Sequence, residues 1–256
     1  MRRYLTTVSL SLMLLTLFLG LCVSALGLGL SYPSLWPREW DFSFLSEIGS
    51  RGQLFSSFAS SLWIACAVAI ASTTSAFAVR LISFYSQPEQ RLQLFIFYLP
   101  YLIAPVVLAV ALQILFLRLG WAGTYTAIIM GQICITLPYA IILQDGIWGQ
   151  SLRSIVQMGL NFGLSSFQIL RCIIWPAARG LLILSTIQTF LISWFDFALV
   201  QFLGMGRVRT LTLSLYTAVL ESDLQQASFA AIAIILPGFL LMLLFYRIFI
   251  QKATSI

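Results

Sequence analysis

Long charge-free runs set the organisation of the chain. Residues 4–30, 54–79, 92–117, 121–143, 181–203 (interrupted by Asp196) and 227–246 each approach or exceed the about 20 predominantly apolar residues that a membrane-crossing helix needs. The pattern predicts an all-α membrane protein of six transmembrane helices, with residues 1–256 forming a single transmembrane domain. The first run follows Arg2-Arg3, as a signal peptide would, but it is far longer than the roughly 7–15 apolar residues of such a segment. Leu21 is also too bulky to precede a lipoprotein cysteine at Cys22, so an uncleaved first span is expected. Two connections exceed simple hairpins. Residues 31–53, with Tyr32-Pro33, Trp36-Pro37 and Trp40, read as an interfacial aromatic belt or as a docking surface for an external partner. The other is the segment 145–180.

Within 145–180 the periodicity is helical without being membrane-like. Ser151 and Ser154 are candidate caps for a short helix carrying Ile155, Met158 and Leu160. Gly163, close to Asn161, suits a left-handed turn. Ser165-Ser166 can then cap a second helix in which Phe167, Leu170, Ile173 and Ile174 recur at helical spacing beside Arg171 and Arg179, with Pro176 closing it before the fifth span. The result is two short helices joined at a glycine, with an apolar stripe for which the sequence shows no partner in the chain. Either the helices lie on the bilayer surface with arginines at lipid phosphates, or they insert into a groove of a separate protein.

Composition narrows the function classes. The chain is 60% apolar and 9% charged, against about 45–50% and about 25% in soluble domains. That excludes disorder, collagen-like repeats and a nucleic-acid-binding module. The net charge of +6 then concerns orientation, because basic residues gather on cytoplasmic loops. With six spans, nine of the 14 basic residues but two of the 8 acidic ones fall on the side holding both termini, which places both termini in the cytoplasm. No histidine is present, which removes HExxH metal sites, Ser-His-Asp triads and haem ligation by histidine. Cys22, Cys66, Cys134 and Cys172 show no metal-ligand spacing and read as free thiols. The single lysine, Lys252, leaves no Walker A lysine, so the chain is not itself a P-loop ATPase.

Polar groups inside the spans are few. Asp196 is the one charge well within a run, and a carboxylate there costs roughly 2.5–3.5 kcal/mol unless it faces the bundle interior or water. It either lines a path for a cationic substrate, pairs across a subunit interface, or bonds the backbone. Pro100, Pro105, Pro138 and Pro237 each remove a backbone hydrogen bond within a run, as hinges or as kinks satisfied by neighbouring helices. Ser56, Ser57, Ala59, Ser60 and Ser61 suggest close helix packing in the second span.

Gln157-Met158-Gly159, Gly163, Ile173 and Trp175-Pro176 resemble the cytoplasmic signature Glu-Ala-Ala-x3-Gly-x9-Ile-x-Leu-Pro of permease subunits of binding-protein-dependent ABC importers, type I (MetI-like). Gly163, Ile173 and Pro176 fall in register, while Gln157 stands at the glutamate, Met158 and Gly159 at the alanines, and Trp175 at the leucine. Pro138-Tyr139 in the fourth span, Trp194-Phe195-Asp196-Phe197, Leu203-Gly204 and Thr210-Leu211-Thr212-Leu213 are similar to the subgroup importing iron(III), thiamine, polyamines, sulfate or phosphonates. The resemblance covers roughly residues 54–250 as a permease core, with 145–180 as the cytoplasmic coupling loop. It implies a non-catalytic subunit of the bacterial plasma (inner) membrane that forms a substrate path by alternating access. Its partners would be cytoplasmic ABC ATPases, a second permease subunit (identical or paralogous), an extracytoplasmic substrate-binding protein and membrane lipid. ATP would be bound by the ATPase partner, with no cofactor or metal in this chain. Gln157, Met158, Gly159, Gly163, Ile173 and Pro176 would couple to the ATPase, and Asp196 is the candidate for the path. The alternative is a self-sufficient secondary transporter or channel, against which stand the small size and the large two-helix loop.

Overall fold

A computed structural model of the chain describes residue 16 and residues 19–25, 27–28, 39–40, 53–85 and 99–253. Most of the first predicted span, most of the aromatic segment 31–53, the first residues of the third span and both extreme termini lie outside the described residues. The described part is mostly helical, with turns between the helices and one antiparallel pair of two-residue strands, β1 (Gly27–Leu28) and β2 (Glu39–Trp40), with Gly27 opposite Trp40. The first span therefore does not stay helical to residue 30, because the chain is already extended at Gly27.

The helices are α1 (Gln53–Tyr85), α2 (Pro105–Arg118), α3 (Tyr125–Gln144), α4 (Gln150–Asn161), α5 (Ser166–Ile169), α6 (Trp175–Trp194), α7 (Ala198–Gly204), α8 (Leu211–Leu220) and α9 (Leu224–Ala253). Among the described residues, four segments are long and apolar enough to cross a membrane: Gln53–Tyr85, Tyr125–Ile147, Ser166–Trp194 and Leu224–Leu241. The third predicted span differs. Pro100 sits in a 3-10 turn (Leu99–Leu102) and Pro105 opens α2, a shorter apolar helix of 14 residues. Proline is tolerated at the first helical position because the N–H it lacks would have no partner there. Of the four prolines weighed as hinges or kinks, only Pro138 and Pro237 lie inside helices.

The chain divides into two compact units, residues 1–61 with 209–256 and residues 62–208. In the first unit α8 packs on α9, and the first turns of α1 hold the start of α8. Ser61 Oγ accepts from the Leu211 backbone N–H at 2.8 Å, and Ser214 Oγ donates to Ser57 Oγ at 3.0 Å. Both α1 serines are buried, one turn apart, so the expected small-residue packing is carried by Ser57 and Ser61, while Ser56 is exposed. Thr210 caps α8 through the Leu213 N–H.

In the second unit α3 packs along α6, and α7 packs on α2 and α3. Gly131 makes the α3–α7 approach possible, since a Cβ there would run into the Leu203 side chain. Thr124 caps α3 by accepting from the Ala127 N–H. The faces between α1, α3 and α6 carry a buried polar ladder rather than a purely apolar seam, which follows from the lack of hydrophobic drive between helices in lipid.

Candidate functional site

The loop 145–180 begins at a short 3-10 turn, Asp145–Ile147, and enters α4 through an extended Gly149. Neither Ser151 nor Ser154 caps this helix. Ser154 Oγ instead donates back to the Gln150 carbonyl, the local bond that short polar side chains prefer inside a helix. At the other end Gly163 adopts φ +79°, the Leu164 N–H donates to the Gly159 carbonyl, and the Gly163 N–H donates to the Leu160 carbonyl. This is a Schellman ending, with a glycine where an L-residue would be strained. Ser165 then forms a capping box with Gln168 at the start of α5.

The second half of the loop departs from expectation. Pro176 does not close the helix. A π turn, Leu170–Ile174, joins α5 to α6, so one helical segment runs from Ser166 to Trp194. The wider turn draws the preceding carbonyls out of α register, which makes room for a ring that would otherwise clash one turn back. The apolar stripe also has a partner inside the chain. Ile169 and Ile174, five residues apart as π spacing allows, are fully buried with Leu152, Val156 and Phe84, and Leu164, Leu170 and Ile173 pack against them.

Gly159 and Ile173 are brought together, since a Cβ on Gly159 would lie 3.0 Å from Ile173 Cδ1. Gln157 and Met158 point outward, and Pro176 is exposed. The other face of α4 thus keeps Ile155 and Met158 exposed, followed by Phe162 at 80% exposure in the turn and Phe167 on α5. The loop has two apolar faces, one covered and one open.

The covered face rests on the end of α1. Trp148 packs 5.7 Å from Phe77 and 5.3 Å from Phe84 between ring centroids, Trp175 meets Phe77 edge-on, and the Arg153 guanidinium lies 5.2 Å from the Phe84 ring centre. Between the two phenylalanines, Arg80 is buried, its Nε and Nη2 donating to the Ile141 carbonyl at 3.4 Å while Nη1 pairs with Asp145 at 3.0 Å. A cation at the last turn of α3 also meets the negative end of that helix. In the sequence Arg80 reads as the end of a span and as one of the basic residues on the cytoplasmic side.

Asp196 sits in the three-residue break, Phe195–Phe197, between α6 and α7. Gln132 Nε2 donates to its Oδ2 at 3.0 Å, and the backbone N–H groups of Leu199 and Val200 also donate to it. Of the roles weighed for this acid, bonding the backbone is the one these contacts display. Gln132 is in turn bound by Ser193 Oγ, and Thr136 joins its carbonyl to Ser72 on α1. Further along, Gln144 donates to the Thr73 carbonyl and to Ser185. Gln132, Thr136, Ala140 and Gln144 form one buried stripe of α3, matched on α6 by Ser185, Thr189 and Ser193. That four-residue spacing is visible in the sequence and was the signal missed.

No curated protein is matched by the chain. The sequence profile of a family described as binding-protein-dependent transport system inner membrane component matches residues 84–255, about two thirds of the length, and takes in the loop, its Schellman turn, the π-linked helix and Asp196. With its long apolar helices and this match, the chain belongs to the family of inner membrane permease components of binding-protein-dependent ABC importers.

Proposed function

We propose that the chain is the permease subunit of an ATP-driven importer, with six spans and both termini in the cytoplasm, and that segment 145–180 is the element through which a separate cytoplasmic ATPase drives it. The observation that carries this reading is the division of labour on α4. Leu152 and Val156 anchor the helix to its own chain, while Ile155, Met158 and Phe162 stay exposed beside them. A helix lying on lipid needs one apolar face. A helix held by its own protein on one face and apolar on the other is suited to a groove in a partner. Gly163 fixes the turn, Gly159 and Ile173 set the spacing of the two loop helices, Gln157 supplies a neutral hydrogen-bonding group, and Pro176 marks the passage into α6.

ATP-driven closure of paired ATPases moves two such loops, and the spans alternate between inward- and outward-open states. A second permease subunit completes the path, an extracytoplasmic binding protein delivers the substrate, and Asp196 stands at the edge of the path where α6 breaks. The subgroup similarity points to a small ionic or polar substrate such as iron(III), thiamine, a polyamine, sulfate or a phosphonate.

The test is purification of the tagged chain from its native membrane in mild detergent, with identification of what accompanies it. Recovery of a P-loop ATPase, lost on Met158→Asp and on Gly163→Trp, supports the reading. A chain that purifies alone, with transport intact in vesicles free of any ATPase, overturns it in favour of a self-sufficient transporter.

A further inference from the structure

The loop is tied to three helices, and only two of them flank it in sequence. α3 leads into it and α6 continues from it through the π turn. The third is α1, whose Phe77, Arg80, Leu81 and Phe84 lie along one face at helical spacing and pack on the loop. From this we infer that α1 is a second output of the coupling loop, and that Arg80 is the positioning residue that links them.

The argument rests on the kind of contact. Apolar packing alone permits sliding at small cost, because methyl and ring surfaces are non-directional. The Arg80 guanidinium is different, since its planar fork is directional and holds two groups at once. It reaches the Ile141 carbonyl at the end of α3 and the Asp145 carboxylate at the first residue of the loop. Buried at 7% exposure, it cannot exchange these partners for water without a desolvation penalty, so α1 follows the loop base when that base moves. The ring contacts of Trp148 with Phe77 and Phe84 keep the same two surfaces in register on either side of the clamp. A push on α4 then reaches the membrane by two routes, directly through the continuous helix into α6 and sideways through Arg80 into α1. The inference rests on the proposed coupling role of the loop, and it adds which helices receive the movement.

The experiment uses the complex of the chain with its co-purified ATPase, in a background of Cys22→Ala, Cys66→Ala, Cys134→Ala and Cys172→Ser. One reporter is Ile70→Cys on α1 and the other Ile183→Cys on α6, both at exposed positions. Maleimide labelling rates are compared without nucleotide and after trapping with ATP and vanadate. With Arg80 intact, both reporters change rate on trapping. With Arg80→Gln the change at position 70 is lost while that at position 183 remains, and Arg80→Lys restores part of it. Asp145→Asn, altering the exposed partner, reduces the change at position 70 without affecting assembly.

If both reporters still respond in Arg80→Gln, the clamp carries no movement and the inference fails. It fails equally if both responses vanish together in Arg80→Gln and in Asp145→Asn, since that is collapse of the loop rather than loss of one route. The inference fails as well if the reporter at position 70 is silent in a parent complex that contains the ATPase, whereas a parent that contains no ATPase overturns the transport reading itself, an outcome separate from failure of the clamp.

Discussion

Gly159 and Gly163 stand one turn apart in the loop, and the structure gives them opposite reasons for being glycine. Gly163 has φ +79° and nothing within 4 Å of the place a Cβ would occupy, so a substitution there strains the backbone and touches nothing. Gly159 has ordinary helical geometry, and its Cβ would meet the tips of Ile173 at 3.0 Å and Leu164 at 3.3 Å. A left-handed L-residue costs about 1–2 kcal/mol, partly offset in alanine by the lower entropy of the unfolded chain. Gly163→Ala should therefore destabilise by about 1 kcal/mol, Gly163→Val by about 2 because it is β-branched, and Gly163→Asn by less than either. At Gly159 alanine gains about 1 kcal/mol of helix propensity and loses a similar amount moving two flexible side-chain ends, leaving a net within about 0.5 kcal/mol of zero. The assay is equilibrium unfolding of the purified chain in mixed micelles of mild detergent and SDS, followed by helical circular dichroism. The expected order of stability loss is Gly163→Val, Gly163→Ala, Gly163→Asn, with Gly159→Ala near wild type. Tolerance of valine at 163, or a larger loss from Gly159→Ala than from Gly163→Val, would refute the assignment of strain to one position and space to the other.

Other consequences follow from the polar contacts. Gln132→Leu strips a donor from Asp196 and an acceptor from Ser193, and should cost about 2–3 kcal/mol in the same unfolding assay, the upper part of the range for an orphaned buried group. Adding Ser193→Ala to it should cost less than the two single losses combined, because the orphaned hydroxyl is gone. Ser61→Ala leaves the Leu211 N–H without its partner and should cost about 1 kcal/mol, whereas Ser56→Ala, at an exposed position, should be neutral. Asp196→Asn should leave the complex assembled and reduce uptake of the transported substrate by vesicles, and loss of the folded complex in this variant would sink the placing of Asp196 at the path.

The sequence made the long apolar helices and the glycine turn readable because each rests on a local rule, namely run length for the first and the freedom of φ for the second. Ser165 as a cap was readable for the same reason. In the third predicted span the charge-free run does not show what the backbone does with its prolines, which is a 3-10 turn at Pro100 and a helix start at Pro105. The stripe through Phe167, Leu170, Ile173 and Ile174 follows a period of 3.6, and the π turn changes the period in its middle, so that Ile169 is buried outside the stripe and Phe167 within it is exposed. Arg80 was hidden for a different reason. Its partners, Ile141 and Asp145, lie some sixty residues away, and no local pattern reports a contact of that range. Gln132 carries no charge, and it donates to an acid 64 residues away, a contact no local pattern marks.

The π turn also sets an angular index between the loop and the membrane. An α-helix turns about 100° per residue, so the wider turn at Leu170–Ile174 shifts the facing of everything after it by about one residue's worth of rotation. Ser185 and Ser193 meet α3, and Thr189 meets Thr73 of α1, because of that offset. Removing a single residue from the turn would leave the helix intact and its length nearly unchanged, yet it would rotate the polar stripe of α6 away from Gln132 and Gln144. In this stretch the residue count, more than the identity of any one side chain, decides which face of α6 meets the rest of the bundle.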